Sequence, residues 1–291
     1  MVRSLFEKVL VPTDFSKHAR KVVECVGEIP GVKQVVLLSV ISRSAITRVW
    51  DPVAELKGVE ARLTEEKKLI AAPEIEVKVR AVSVLEGEIA NAVNRVADEE
   101  KVSLVVMGAR GKSRIQSVLL GSVSRNALRF GDTHLLIMRY KMLESGEMEK
   151  HCARVFSKVL FATDFSQPSE VALSFFKSIQ GIGELVLLNV VSSGETDEEI
   201  EANKAQADKK IAEIANDLEK GGMKVTPRVI VGHPVETIRN VAEEEDVSLI
   251  AMSSQGAIAI KKGRIGSTAY DVANSVDKPV LILRRSKIAM Y

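Results

Sequence analysis

The sequence predicts an α/β fold built twice in tandem, and three observations carry that prediction. The first is an internal echo. Phe6-Glu7-Lys8-Val9-Leu10-Val11-Pro12-Thr13-Asp14-Phe15-Ser16 returns as Phe156-Ser157-Lys158-Val159-Leu160-Phe161-Ala162-Thr163-Asp164-Phe165-Ser166, identical at eight of eleven positions. The run 35–40 matches 185–190 at the same spacing of 150, and 102–107 matches 247–252 at a spacing of 145. A period of that size is a whole domain rather than a solenoid unit. The second observation is that the apolar runs are continuous rather than alternating, as strands covered on both faces are. The third is their order: each run is followed by a stretch of helical periodicity, which specifies a parallel sheet with right-handed crossovers.

In the first half the expected strands are Lys8–Pro12, Gln34–Ile41, Glu76–Val82, Ser103–Met107 and His134–Met138. Helices are expected over Ser16–Val26, Pro52–Ile70, Glu86–Glu99 and Ser122–Phe130. The second half repeats the strands near Lys158–Ala162, Glu184–Val191, Thr226–Val231, Ser248–Met252 and Val280–Arg284. Each domain is therefore a five-stranded parallel sheet with helices on both faces, over residues 1–140 and 156–291, joined by a polar linker at 141–155. The charged stretch Glu195–Lys220 reads as a solvated helix, with Glu/Lys spacings that support it.

Composition narrows the function. Of 291 residues 46% are hydrophobic and only 4% aromatic, so no surface for stacking single-stranded bases is expected. A net charge of +2 with interspersed signs gives no footprint for nucleic acid or an anionic membrane. Cys25 and Cys152 have neither metal nor redox spacing and are expected to be free thiols. There is no signal-peptide pattern and no apolar run of membrane-spanning length, so a soluble cytoplasmic protein is expected.

The chemistry is expected where ligands sit in doubly wound sheets, at the carboxyl ends of the strands. After the first strand comes Pro12-Thr13-Asp14, and after the fourth Gly108-Ala109-Arg110-Gly111, then nine residues, then Gly121-Ser122-Val123-Ser124 opening a helix. Glycines at 108 and 111 would let backbone approach a ligand closely or take positive φ. Gly121-Ser122 offers bare N–H groups and the positive end of a helix dipole, and Arg110 adds charge, which together make an anion site. The second half keeps Gly256, the nine-residue gap and Gly266-Ser267-Thr268. A simple turn would tolerate a change of length, so the retained spacing favours a ligand loop over a structural one.

The pattern Gly-x2-Gly-x9-Gly-Ser, with Val-x-Thr-Asp-Phe-Ser after the first strand, resembles the universal stress protein family over nearly the whole chain. The resemblance implies strand order 3-2-1-4-5 and adenine-nucleotide binding, with ATP or AMP as ligand and Mg accompanying ATP. It implies that Pro12, Thr13 and Asp14 lie around adenosine, that Val40 lines the adenine slot, and that Met107 and Gly108 face ribose and the first phosphate. Gly111, Gly121, Ser122, Val123 and Ser124 would hold phosphates. In the second half the same roles fall to Thr163, Asp164, Val190, Met252, Ser253, Gly256, Gly266, Ser267 and Thr268. Two departures stand out there: Ser253 replaces the first glycine and Ala162 the proline, so the first site is expected to be the tighter one.

Other signatures fail. Gly111-Lys112-Ser113 resembles the end of a Walker A loop, but Val106 stands where its first glycine is needed. His18, His134, His151 and His233 show no metal or triad grouping. The leading expectation is a nucleotide-binding regulatory stress-response protein with an unknown client protein. The alternatives are a slow ATP hydrolase or phosphotransferase and a ligand-free interaction scaffold. An intramolecular pseudo-dimer through the last strands of the two halves is expected, with homodimerisation open, because apolar sheet edges invite pairing.

Overall fold

The computed structural model describes residues 6–43, 52–109, 120–140, 154–192, 194, 196–257 and 265–284. It divides the chain into two compact units, Met1–Ala153 and Arg154–Tyr291. The first contains β1 (Lys8–Pro12), α1 (Lys17–Cys25), β2 (Gln34–Arg43), α2 (Pro52–Lys67), β3 (Glu76–Leu85), α3 (Ile89–Glu99), β4 (Leu104–Gly108), α4 (Ser122–Phe130) and β5 (His134–Met138). The second contains β6 (Lys158–Ala162), α5 (Gln167–Phe176), β7 (Glu184–Val191), α6 (Asp197–Lys220), β8 (Lys224–Val231), α7 (Pro234–Glu244), β9 (Leu249–Ser253), α8 (Ser267–Ser275) and β10 (Val280–Leu283).

Within the first unit the strands run parallel in the order β3-β2-β1-β4-β5, and within the second in the order β8-β7-β6-β9-β10. This is the order 3-2-1-4-5 in both. The central strands are apolar throughout because helices cover both faces: Val9, Leu10, Val36, Leu37, Leu38 and Leu104 are wholly buried, as are Val159, Leu160, Leu187 and Leu249. β3 and β8 have a strand neighbour on one side within their own unit, and their sequences blunt the other side. β3 begins with the exposed charged residues Glu76 and Lys78, and β8 carries Pro227, whose missing N–H would break a ladder anywhere else.

β2 and β3 run two and three residues past their expected ends, since their pairing continues as far as Arg43 opposite Leu85. Apolar texture marks where a strand is buried, and these last residues are only half-buried or exposed. α3 starts three residues later than the periodicity suggests, after a turn through Gly87 at φ +90. Cys25 is corrected: it is disulfide-bonded rather than a free thiol, and its side chain is buried at the end of α1. The chain's other cysteine, Cys152, lies outside the described residues. Neither has a counterpart in the other half, so the repeat offered nothing to read this from.

An ion cluster ties the opposite end of each sheet from the glycine loops. Just past α3, Glu100 accepts from Lys8 (3.2 Å), Lys78 (2.7 Å) and Arg80 (3.1 Å), joining β1 and β3. In the second unit Glu245 takes its place, paired with Lys158 at 2.9 Å and with Arg228. Burial pushes the Glu100 carboxyl up, but the hydrogen bonds and charges of Lys78 and Lys8 outweigh it and hold the group at about 2. A depressed folded value means that the cluster stabilises the unit above the unfolded carboxyl range and that this support is lost as pH falls towards about 2.

Glu100→Gln should therefore lower the stability of the first unit by roughly 1–2 kcal/mol at neutral pH, a figure reduced for the solvent its lysine partners share. The gap between the two proteins should close as pH is lowered from about 5 to about 2. Urea unfolding at stepped pH measures it; a gap that widens in acid would contradict the assignment.

Candidate functional site

The turn after the first strand is built from its own side chains. Phe15 N donates to Thr13 Oγ1 (3.0 Å), Ser16 N donates to Asp14 Oδ1 (3.0 Å), and Ser16 Oγ caps α1 by accepting from Ala19 N (3.2 Å). Nested side-chain acceptors of this kind substitute for the backbone carbonyls that a strand end lacks. They bring Phe15 to φ 62, a region that costs an aromatic residue of order 1 kcal/mol or more. The second unit repeats the turn: Phe165 N to Thr163 Oγ1 at 3.1 Å, Ser166 N to Asp164 Oδ1 at 3.1 Å, and Phe165 at φ 57. Each Phe ring lies under a cation, Arg62 at 3.8 Å from the Phe15 centroid and Lys210 at 4.9 Å from Phe165. The shared Thr-Asp-Phe-Ser is thus a structural turn that also sets an aspartate at the strand ends.

The parallel register brings three strand ends to one edge of each sheet. Pro12 lies opposite Leu38 of β2, with Val40 two residues further along, and β1 runs beside β4, which ends in Met107 and Gly108. In the second unit Ala162 lies opposite Met252, beside Ser253, and Val190 lies near the end of β7. Thr13, Met107 and Ser124 are buried, whereas Ser122 and Ser267 are exposed.

The glycine loops are pinned at both ends in the same way. Gly121 N donates to Ala109 O at 2.7 Å, and Gly266 N to Ser254 O at 2.8 Å. Gly121 and Gly266 are the N-cap residues of α4 and α8, and neither helix has a side-chain cap or an acidic residue in its first turn. The first N–H groups of an α-helix have no partner within the helix, so Ser122-Val123-Ser124 and Ser267-Thr268 begin two helices whose positive ends carry no carboxylate. By contrast α1, α5 and α6 are capped by Ser16, Ser166 and Thr196, while α3, which follows Glu88 rather than a glycine, is also uncapped and without a first-turn acid. Ser124 Oγ donates to Gly108 O (2.8 Å), tying the start of α4 to the end of β4; Ala269 stands in its place in the second unit. Arg110 and Gly111 lie outside the described residues.

Of the two uses expected of the loop glycines, close approach or positive φ, the described ones do not show the second. Gly121 and Gly266 have φ −66 and −68, and Gly108 and Gly256 are likewise absent from the left-handed region. Space is what counts at Gly256, where a Cβ would come 2.5 Å from Asp164 Oδ2. That same oxygen accepts from Ala257 N at 2.9 Å, while Ser253 Oγ donates to Gln255 O. Ser253 ends β9 in extended geometry, and its hydroxyl turns onto its own loop.

Sequence reasoning missed one member of this region. Glu66 of α2 is 3% exposed, accepts from the Thr13 hydroxyl at 2.9 Å and pairs with Arg20 Nε at 3.0 Å. Its signal was present: Leu63, Glu66 and Ile70 fall at i, i+3 and i+7, so a carboxylate occupies the buried face of an amphipathic segment. Two surface clefts formed by described residues lie elsewhere. One, about 540 Å³, sits at the ends of β2 and β3 by Arg43, Ser83 and Arg95; the other, about 320 Å³, runs between α5 and α6. The candidate site is defined by its backbone donors and strand ends.

Comparison with known proteins agrees with this geometry. The universal stress protein family model matches residues 5–139 and again 156–284. A universal stress protein of Methanocaldococcus jannaschii is 32% identical over 156 residues, covering 45% of this chain and 96% of its own. One from Synechocystis sp. is 28% identical over 179 residues, covering 60% of this chain and 59% of its own. The crystal structure of a universal stress protein from Archaeoglobus fulgidus superposes with TM-score 0.69 at 25% identity, covering 96% of each chain. With the family model matched once in each half and the sheet order, turn and glycine spacing duplicated, the chain belongs to the universal stress protein family, as two tandem domains.

Proposed function

We propose that each unit binds an adenine nucleotide at its strand ends and that the protein is a regulatory stress-response module, the first site being the tighter. The observation that carries this reading is the duplicated pair of glycine-led helix starts, α4 and α8, which have no side-chain cap and no first-turn acid. Such ends favour phosphate, and each adjoins a strand-end aspartate, Asp14 or Asp164, fit to accept from a ribose hydroxyl or an adenine amino group. ATP or AMP is the ligand class this supports, with Mg accompanying ATP. A nucleotide would supply the charge and the aromatic base; the chain supplies the N–H donors of Ser122 to Ser124 and an apolar floor at Val40 and Met107.

The ranking of the sites rests on the second loop. There Ser253 brings a side chain where the first unit has Gly108, and its hydroxyl bonds Gln255 O within the loop, a contact that competes with ligand. Losing one such contact to ligand is worth about 1–3 kcal/mol, or roughly tenfold to a hundredfold in affinity.

Native mass spectrometry of gently purified protein should show added mass of one or two adenine nucleotides; a bare chain that also gives no heat with millimolar ATP would overturn the reading. For the ranking, Gly111→Val should remove the tighter calorimetric event and Gly256→Val the weaker one, because a branched side chain at 256 collides with Asp164. The reverse assignment of the two events would show the ranking to be wrong.

A further inference from the structure

The two units fix the same threonine hydroxyl by different means. In the first, Thr13 Oγ1 donates to Glu66 Oε2 at 2.9 Å and accepts from Phe15 N at 3.0 Å. In the second, Thr163 Oγ1 accepts from Ser169 Oγ at 2.9 Å and from Phe165 N at 3.1 Å. The cation over each Phe ring aligns the helices, Arg62 with Lys210 and buried Leu63 with buried Ile211, a shift of 148 that places Ile214 where Glu66 stands. The β1 shift of 150 places Ser169 where Ala19 stands. Glu66 with Ala19 has thus been exchanged for Ile214 with Ser169. Two positions on different helices differ together, and the feature they hold in common is a fixed Thr hydroxyl beneath the turn.

The exchange is not neutral in charge. A buried carboxylate costs several kcal/mol unless it is paired and hydrogen-bonded, and Glu66 meets that demand with Arg20 and Thr13. With its hydrogen committed to Glu66, the Thr13 hydroxyl keeps its lone pairs for Phe15 N–H, which sets the left-handed Phe15 and hence the direction of Asp14.

We propose that Glu66 is a positioning residue of the first nucleotide site, acting through Thr13 on the turn that presents Asp14, so that affinity at that site depends on α2. This rests on the nucleotide reading above. It also reassigns Thr13: its side chain serves the turn and not the ligand.

The test is ATP binding by calorimetry in full-length protein carrying Gly256→Val, which leaves the first site to be read alone. Glu66→Leu removes the acceptor and should weaken that site about five- to twentyfold. Glu66→Gln keeps an acceptor for Thr13 and should stay within about threefold of the parent. In a Thr13→Val background, Glu66→Leu should have little further effect, since replacing both partners of a buried hydrogen bond by apolar groups is nearly neutral. In protein with an intact second site, that site's affinity should not change. Glu66→Leu that lowers the thermal midpoint but leaves first-site affinity untouched would show a stabilising role only and overturn the proposal. So would equal, additive losses from Thr13→Val and Glu66→Leu. If protein with neither site altered binds no adenine nucleotide, the functional reading fails with it; if that protein binds and Glu66→Leu binds equally, this inference alone fails.

Discussion

The fold depends on how a strand buried on both faces hands over to a helix in a few residues. A parallel sheet sends every strand towards the same edge, where backbone donors that have left the ladder must find acceptors away from bulk water. In both units four consecutive side chains answer this: Thr and Asp take the next donors along the chain, Phe adopts positive φ, and Ser begins the helix. In the second unit Asp164 does this with one oxygen while the other accepts from Ala257 N of the glycine loop, so a single carboxylate ties the turn to the loop.

The sheet's other edge obeys a different economy. There Glu100 and Glu245 gather cations from two strands that are not neighbours, β1 with β3 and β6 with β8. The strand between them in each unit is β2 or β7, and the ion cluster brackets its start. The ion clusters that fasten the sheet thus lie at one end, and the glycine loops and strand-end aspartates at the other. That separation lets site residues change without loosening the sheet.

Much of this was readable from the sequence, for identifiable reasons. Continuous Val/Ile/Leu runs fix strands covered on both faces, and β1, β5, β6 and β7 fall within their expected bounds. The tails of β2 and β3 were not readable, because pairing there is held by backbone, Ser42, Arg43 and Ser83 break the apolar run, and Leu85 is exposed. The glycine spacing located the candidate loops but left open whether the glycines give space or positive φ; Gly256 gives space, to Asp164, and the described loop glycines are not at positive φ. Glu66 escaped because a single acidic residue on a charged helix looks like solvent-facing decoration until its neighbours are placed. Cys25 escaped because a disulfide is a relation between distant residues that no local pattern encodes.

The backbone bonds from Gly121 to Ala109 and from Gly266 to Ser254 have a consequence for how these domains can change. Each closes a loop at its base, so whatever chain lies above is attached to the sheet at two points already held together. The entropy of closing a longer excursion grows only slowly, by about 0.6 kcal/mol for a doubling of length. The sheet beneath does not register the insertion, because strand and helix on either side keep their shared anchor. Such a base is a natural graft point: a foreign peptide spliced between those bonds would be displayed as a closed hoop on an unaltered scaffold, and the tandem chain offers two such positions for two different hoops.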